Sequence, residues 1–260
     1  MGYNCLLFEK QGHVTTITLN RPDVFNAFND EQSYELQDAL KAVKKDDETR
    51  VVVLTGAGKA FCSGQDLKAI AGVEKRSFIE SLQKRYNPII REMRNMPKPI
   101  ICKLNGVAAG AGCSLALASD FIVASENASL IEVFINVGLV LDSGSSFFLP
   151  RLVGSARAFE LSTMGSKVTA KQAFEWGMVN RCVPADQLDA ETDTIVQYYA
   201  KAPTKAIGLM KKMLNKSFNN DLEAMLEYEM YCQEIAGNSA DNKEGVTAFI
   251  EKRQPNFTGK

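Results

Sequence analysis

Histidine is nearly missing from this chain, with His13 the sole copy among 260 residues. A zinc centre needs several thiolate or imidazole ligands converging on one ion. His13 stands in a strand-like stretch and none of the six cysteines forms a CxxC pair, so the spacing supplies no ligand set and no metal is expected. The cysteines, at positions 5, 62, 102, 113, 182 and 232, lie far apart inside apolar patterns, which suits reduced thiols. Long hydrophobic runs are missing too. No segment approaches the ~20 apolar residues of a membrane span. The opening MGYNCLLFEKQG has no basic region followed by an apolar run, so a cytoplasmic or otherwise soluble protein with no membrane partner is expected. Nor is either charge in excess. A formal net charge of −1 and a pI near 6.0 create no global field to draw in a polyanion, so no nucleic-acid partner is expected.

What the chain does have is an ordinary globular composition, 45% apolar and 23% charged. Its length accommodates one large α/β domain with an appendage, or two small domains. It opens with β structure: alternating runs at residues 5–9 and 14–19 flank Gln11-Gly12 and read as a hairpin. Asn29 and Asp30 precede apolar Tyr34, Leu36, Leu40 and Val43 at helical spacing, which predicts a helix over 31–45. The continuous run VVVLT at 51–55 suits a strand covered on both faces. A further strand follows Lys98, after which GVAAGAGCSLALASD turns helical before the strand FIVAS at 121–125. Gly106, Gly110 and Gly112 permit close approach of backbone to backbone, or of backbone to ligand. Beyond residue 155 the pattern is mainly helical: 156–164, then 169–176 with Gly177 as a stop, and after a strand at 179–183 helices over 186–200, 204–216, 222–235 and 243–253. The last third reads as a helical layer or a subunit-interface appendage.

Two segments offer exposed backbone amides. GKAFCSGQDL leaves a buried strand, turns at Gly64 and re-enters ordered structure with Asp66 placed to cap a helical turn, leaving the Gln65 N–H free. A tight turn alone accounts for the same residues. GAGC opens a helix whose first amides have no intrahelical acceptor and carry partial positive charge, so Ala111 offers a second N–H. If both meet one carbonyl oxygen, they stabilise the negative charge that builds there as a neighbouring C–H proton departs.

The segments NRPDVFNAFN, VVVLTGAGKAFCSGQDL, KPIICKLNGVAAGAGCSLALASDFIVASENA and EWGMVNRCV, followed late in the chain by EGVTAFIEKRQPNF, stand in the order found in the crotonase family. The chain thus resembles the crotonase, or enoyl-CoA hydratase/isomerase, family over most of its length. That resemblance implies an α/β fold built as a spiral of ββα units, with a C-terminal helical region that assembles a homotrimer, often paired into a hexamer. It implies an acyl-CoA thioester as substrate, with no cofactor beyond the coenzyme A that the substrate carries. Residues 1–200 would form the catalytic core and residues 201–260 the trimerisation region. Carried over position by position, the family's oxyanion amides fall on Gln65 and Ala111. Coenzyme A or substrate contacts fall on Val24 and Asn26, on Ser63, Gly64, Asp66, Leu67 and Lys68, on Gly110 and Phe134, and on Phe249 and Lys252 near the C-terminus. Lys252 and Arg253 have the plainer reading of a solvated face.

The chain departs from the hydratase pattern at the catalytic carboxylates. Enoyl-CoA hydratases hold one glutamate in the helix after the second glycine segment and another shortly before the next glycine; here those positions are Ser114 and Phe134. Water addition requires an activated water and a proton delivered to Cα, which neither side chain can manage as a carboxylate. Asp142, in GLVLDSG, is a carboxylate in the region where related isomerases place an acidic base. FCSGQDL together with GLVLDSG resembles the ring-1,2-epoxyphenylacetyl-CoA isomerase and Δ3,Δ2-enoyl-CoA isomerase branch. One carboxylate suffices for a double-bond shift, since it can take a proton from one carbon and return it to another. The plain alternative for Asp142 is an N-cap on a helix containing residues 147–149.

Phe134, Val137, Leu139 and Leu141 are expected to surround Asp142 and raise its proton affinity. Glu132 shares a face with Phe134 if that stretch is extended, which makes it a reserve acid. Asp66 is expected to act as a cap and Asp120 to serve a turn, while residues 70–81 and Phe147-Phe148 are expected to shape an acyl pocket. Three functions stay in competition: an acyl-CoA isomerase using Asp142, an enoyl-CoA hydratase, and a non-catalytic acyl-CoA-binding or RNA-interacting protein on the same scaffold.

Overall fold

The computed structural model describes residues 2–70 and 77–260. Strands β1 (Leu6–Gln11) and β2 (Val14–Leu19) form the expected antiparallel hairpin, with Gln11 opposite Val14 across the turn at Gly12. Helix α1 (Asp30–Lys45) starts where Asn29 accepts the Gln32 amide at 2.8 Å, and it buries Leu36, Ala39, Leu40 and Val43 along one stripe.

A strand–strand–helix pattern then repeats. β3 (Val51–Gly56) is followed by β4 (Ala60–Cys62), and then by α2 (Leu67–Ile70), α3 (Phe78–Ser81) and α4 (Asn87–Asn95). β5 (Ile100–Leu104) and β6 (Val107–Ala109) lead into α5 (Ala111–Leu117), and β7 (Phe121–Ser125) and β8 (Ser129–Ile131) lead towards α6 (Ser145–Met164). β9 (Lys167–Thr169), α7 (Ala170–Glu175) and β10 (Arg181–Val183) complete this part. The first strand of each pair joins a six-stranded sheet ordered β1-β2-β3-β5-β7-β10, and the second joins a four-stranded sheet ordered β4-β6-β8-β9. Within each sheet the repeated strands run parallel. This is the expected spiral of ββα units.

The expected helix at 156–164 is the second half of α6, which begins at Ser145 and is broken at Gly154, where φ is 76° and ψ 164°. α4 was not anticipated. Of the stretch 70–81 assigned to the acyl pocket, residues 71–76 lie outside the described residues.

The remaining helices are α8 (Leu188–Lys201), α9 (Thr204–Ser217), α10 (Leu222–Gly237) and α11 (Ala240–Ile250). Leu188, Val196 and Ala200 of α8 pack on Val51, Val53, Ile101 and Val123, covering the second face of the large sheet. That is why VVVLT carries no polar alternation. α9 is tied to the sheet by Lys211, whose buried ammonium donates to Asp120 at 2.6 Å and to the Met93 carbonyl at 2.7 Å. Asp120 also accepts from Arg94 and from the Ile100 amide, so it is a junction between elements and more than a turn residue. α11 stops at Ile250, three residues short of the expected end at 253, with Lys252 in the left-handed region. The tail beyond it is held by Arg50, which donates to the Phe257 carbonyl at 2.8 Å. All six cysteines are unpaired. Among the described residues no helix is long and apolar enough to cross a membrane.

Candidate active site

β4 and β6 are neighbours in the small sheet and run parallel, with Ala60 opposite Val107 and Cys62 opposite Ala108. The chain therefore leaves both strands at the same edge, where open α/β sheets bind ligands. It turns there at Gly64, with φ 91°, and at Gly110, with φ 52°. A Cβ on Gly64 would lie 2.8 Å from the Ala109 carbonyl oxygen, and one on Gly112 only 2.1 Å from that of Cys62. Only glycine lets the two turns lie against each other this closely.

Two amides emerge from this contact without partners. Phe28 donates to the Gly64 carbonyl at 2.7 Å and accepts the Asp66 amide at 2.9 Å, a one-residue parallel bridge that leaves the intervening Gln65 N–H outside the ladder. Ala111 is the first residue of α5, so its N–H has no intrahelical acceptor. Among the described residues neither amide donates to protein. Such a pair can take one anionic or polarised oxygen.

The Gln65 side chain is fixed on both sides. Its Nε2 donates to the Phe28 carbonyl at 2.9 Å, and its Oε1 accepts from Arg85 Nη2, also at 2.9 Å, and from the Tyr86 hydroxyl. Arg85 is buried with its Nε 3.2 Å from Asp30. Burial drives the Tyr86 phenol far above its ordinary pKa, so it stays a donor. Neither residue belongs to a recognisable motif, and both come from the wide turn Leu82–Tyr86. Asp66 is a cap, as expected. Burial works against its ionisation, but the Ala69 amide at 3.1 Å and Arg21 at 3.0 Å hold its carboxyl below the usual aspartate value.

β8 lies beside β6, and after Ile131 the chain coils into a 3-10 turn, Val133–Val137, instead of staying extended. The alternation that put Glu132 and Phe134 on one face therefore does not apply. The Phe134 ring packs at Gly110, 3.8 Å from where a Cβ would stand. Glu132 turns inward, 2% exposed, with its Oε1 2.9 Å from Ser145 Oγ. The turn leaves Val137 55% and Leu139 38% exposed.

Asp142 does not cap α6. The N-cap is Gly144, in the left-handed region and with no side-chain capping bond, and the Asp142 carboxylate accepts from Ser143 Oγ at 2.7 Å instead. Burial raises the Asp142 pKa, opposed by the Ser143 hydroxyl, and its charge acts on both Tyr86 and Glu132. Ser114 and Phe134, which the family resemblance set against the hydratase glutamates, offer no carboxylate. Ser114 is fully buried, 2.7 Å from Ser145 Oγ, and Phe134 is a packed ring.

Residues 9–260 match the family described as enoyl-CoA hydratase/isomerase. The chain belongs to that family. Among its relatives, the 1,2-epoxyphenylacetyl-CoA isomerase of Escherichia coli (strain K12) is 43% identical over 251 residues, covering 95% of each chain. A probable enoyl-CoA hydratase of Rhodobacter capsulatus is 37% identical over the full length of both. The crystal structure of an enoyl-CoA hydratase from Bacillus anthracis superposes with a TM-score of 0.94 at 34% identity, covering 99% of this chain and 100% of that one.

The protein is thus an enzyme of the enoyl-CoA hydratase/isomerase family, whose members act on acyl-CoA thioesters. Around the paired amides this family member gathers Val24, Ser63, Gly64, Asp66 and Gly110. Val24 accepts from Ser63 Oγ at 3.4 Å, and Leu67 and Lys68 stand exposed beside Gln65. Of Asn26, only the backbone is left to contact a ligand. The residue is fully buried, and its carboxamide accepts the Arg21 amide at 2.9 Å and donates to the Ala57 and Ala60 carbonyls at 2.9 and 2.8 Å. Its side chain holds the turn from inside. Phe249 is 85% exposed on α11, and neither it nor Lys252 is hydrogen-bonded to this group. Arg253 is committed to Glu244 and Glu251. Phe148 is buried against Gly144, with Phe147 at its edge under the Arg151 guanidinium.

Proposed function

We propose that this family member is an acyl-CoA isomerase in which the Gln65 and Ala111 amides hold the thioester oxygen and Asp142 moves the proton. The observation that carries this reading is a largely buried aspartate with raised proton affinity, whose charge acts on Tyr86, the partner of the Gln65 side chain, and whose carbonyl lies 3.1 Å from Ser114 Oγ on the helix that Ala111 opens, while Ser114 and Phe134 offer no carboxylate. The Asp142 carboxylate takes a proton from the acyl chain, and the C–H electron pair moves into conjugation and loads charge onto the thioester oxygen. Two preorganised N–H donors stabilise that charge. The double bond relocates, and the Asp142 carboxylic acid returns the proton to the other end of the dienolate. No water is consumed. The name of the Escherichia coli relative supports the same reading.

Asp142→Asn keeps the side chain's shape and removes the base. It is expected to bind acyl-CoA normally and to lose isomerisation of a 3-enoyl-CoA, read by the absorbance of the conjugated thioester formed. Full turnover in that variant would overturn the assignment. Hydration is the second reading, favoured by the name of the Rhodobacter capsulatus relative. Rapid loss of conjugation on incubation with crotonyl-CoA would establish it.

The proposal extends to assembly. Residues 201–260 form the trimerisation region, supported by apolar Leu214, Leu222 and Met230, which stand 69%, 70% and 65% exposed in the single chain. Coenzyme A runs past Val24, Ser63, Leu67 and Lys68 towards Phe249 and Lys252. Light scattering in solution tests the trimer or its paired hexamer, and a monomer would refute it.

A further inference from the structure

Behind Asp142 runs a line of buried polar groups that the proton transfer itself does not use. Glu132 Oε1 lies 2.9 Å from Ser145 Oγ, which lies 2.7 Å from Ser114 Oγ. Ser114 Oγ in turn is 3.1 Å from the Asp142 carbonyl oxygen and 3.3 Å from that of Gly110. Both serines are fully buried and Glu132 is 2% exposed, while Glu132 Oε2 has no hydrogen-bond partner. Glu132 is closed off from solvent, and its route to the Asp142 loop runs through the two hydroxyls.

We propose that Glu132 is a positioning residue for the Asp142 loop, acting through the Ser145 and Ser114 hydroxyls. The proposal rests on the reading of Asp142 as the acid/base. Each hydroxyl has one proton to give, so the line can run in either of two directions. With Glu132 neutral, its O–H donates to Ser145, Ser145 donates to Ser114, and Ser114 is left free to donate to the Asp142 carbonyl. With Glu132 ionised, Ser145 must donate to the carboxylate and Ser114 to Ser145. The Asp142 carbonyl then keeps only the Ser145 amide at 3.0 Å. The ionised form also buries a charge whose only other support is the weak thiol donor of Cys113, which is expensive in the interior.

The surroundings favour the neutral form. Burial pushes the Glu132 pKa up to about 7, opposed by Ser145 and Cys113 and assisted by the charge of Asp142. Cys113 faces Glu132 from α5 and Asp142 faces it from the loop before α6. Among the described residues, no cation acts on it.

The test is the pH profile of kcat for isomerisation of a 3-enoyl-CoA. The wild type is expected to lose kcat as pH rises through about 7, where Glu132 ionises. Glu132→Gln, locked neutral, should lack that alkaline limb. Ser145→Ala and Ser114→Ala interrupt the line without altering charge, and each should lower kcat about tenfold with KM within about twofold of wild type. A merely structural role would move the melting temperature and leave the limb in place. An unchanged limb in Glu132→Gln, or wild-type kcat in both serine variants, overturns the relay while leaving Asp142 as base. If Asp142→Asn instead keeps its turnover, the base assignment falls. The relay is then judged by the carboxyl carbon resonance of Asp142, which Ser145→Ala shifts if the line positions the loop and leaves unmoved if it does not.

Discussion

The Tyr86 hydroxyl donates to the side-chain oxygen of Gln65, the residue whose own backbone amide faces the site unpaired. A side chain pinned at both ends restricts the backbone that carries it, so Tyr86 sets the direction of the Gln65 N–H without touching the substrate. Tyr86→Phe removes one donor and leaves Arg85 Nη2 at 2.9 Å. A fall in kcat of about threefold to tenfold is expected, with KM little changed, the size of one hydrogen bond. Steady-state kinetics on an enoyl-CoA check it, and an equal change in both constants would argue against positioning.

Gly112→Ala should be among the most damaging small substitutions in the chain. The added Cβ would meet the Cys62 carbonyl oxygen at 2.1 Å, and both are backbone-bound with no flexible side chain to yield. α5 must move away from β4, separating the Ala111 and Gln65 amides. Overpacking of this kind costs roughly 1–3 kcal/mol in stability, and a displacement near 1 Å can reduce kcat on the order of a hundredfold. Calorimetry and kinetics on the same sample measure both.

Glu132 makes stability depend on pH. Its folded pKa of about 7 lies above the ordinary 4.5, so between those values the native state holds a proton that the unfolded chain has released. The unfolded state binds fewer protons there, and stability falls as pH rises through the window. The shift corresponds to a loss on the order of 3 kcal/mol. Asp142, also raised by burial, acts in the same direction from a lower starting value. Urea midpoints at about pH 5 and about pH 8 should therefore differ less in Glu132→Gln than in the wild type.

Lys211→Met tests how the C-terminal helices are attached. The substitution keeps the length of the stem but removes a buried ammonium bonded to Asp120 and to the Met93 and Lys98 carbonyls. Breaking one partner of a buried pair costs about 3 kcal/mol or more, although Arg94 remains at 3.0 Å to soften the loss at Asp120. A lower urea midpoint is expected, with the far-ultraviolet spectrum unchanged before the transition. A midpoint equal to wild type would mean that α9 is held by apolar packing alone.

The elements visible in the sequence were those whose own residues carry a period or a cap. Asn29 marked the start of α1, the VVVLT run marked a strand covered twice, and α9 and α10 were legible to within a residue or two at each end. β4, β6 and β8 escaped because three residues are too few to display an alternation. Gly64 and Gly110 announced turns, and the family resemblance placed Gln65 and Ala111. The meeting of those two amides depends on which strands are neighbours, and that is a property of the sheet.

By itself the sequence determined the family, through the order of its motifs, and the absence of a carboxylate at Ser114 and Phe134, which is written in residue identity, while the ββα spiral came only through the family resemblance. Only the tertiary structure decided that Asp142 leaves the capping of α6 to Gly144, that Asn26 is an interior brace, and that Glu132 reaches Ser145 in place of the site. The reason is the distance along the chain over which these choices are made. Ser114 and Ser145 stand 31 positions apart, and Tyr86 and Gln65 stand 21 apart. No local pattern records such partnerships, which arise when parallel strands end at one edge and the loops beyond them are packed together.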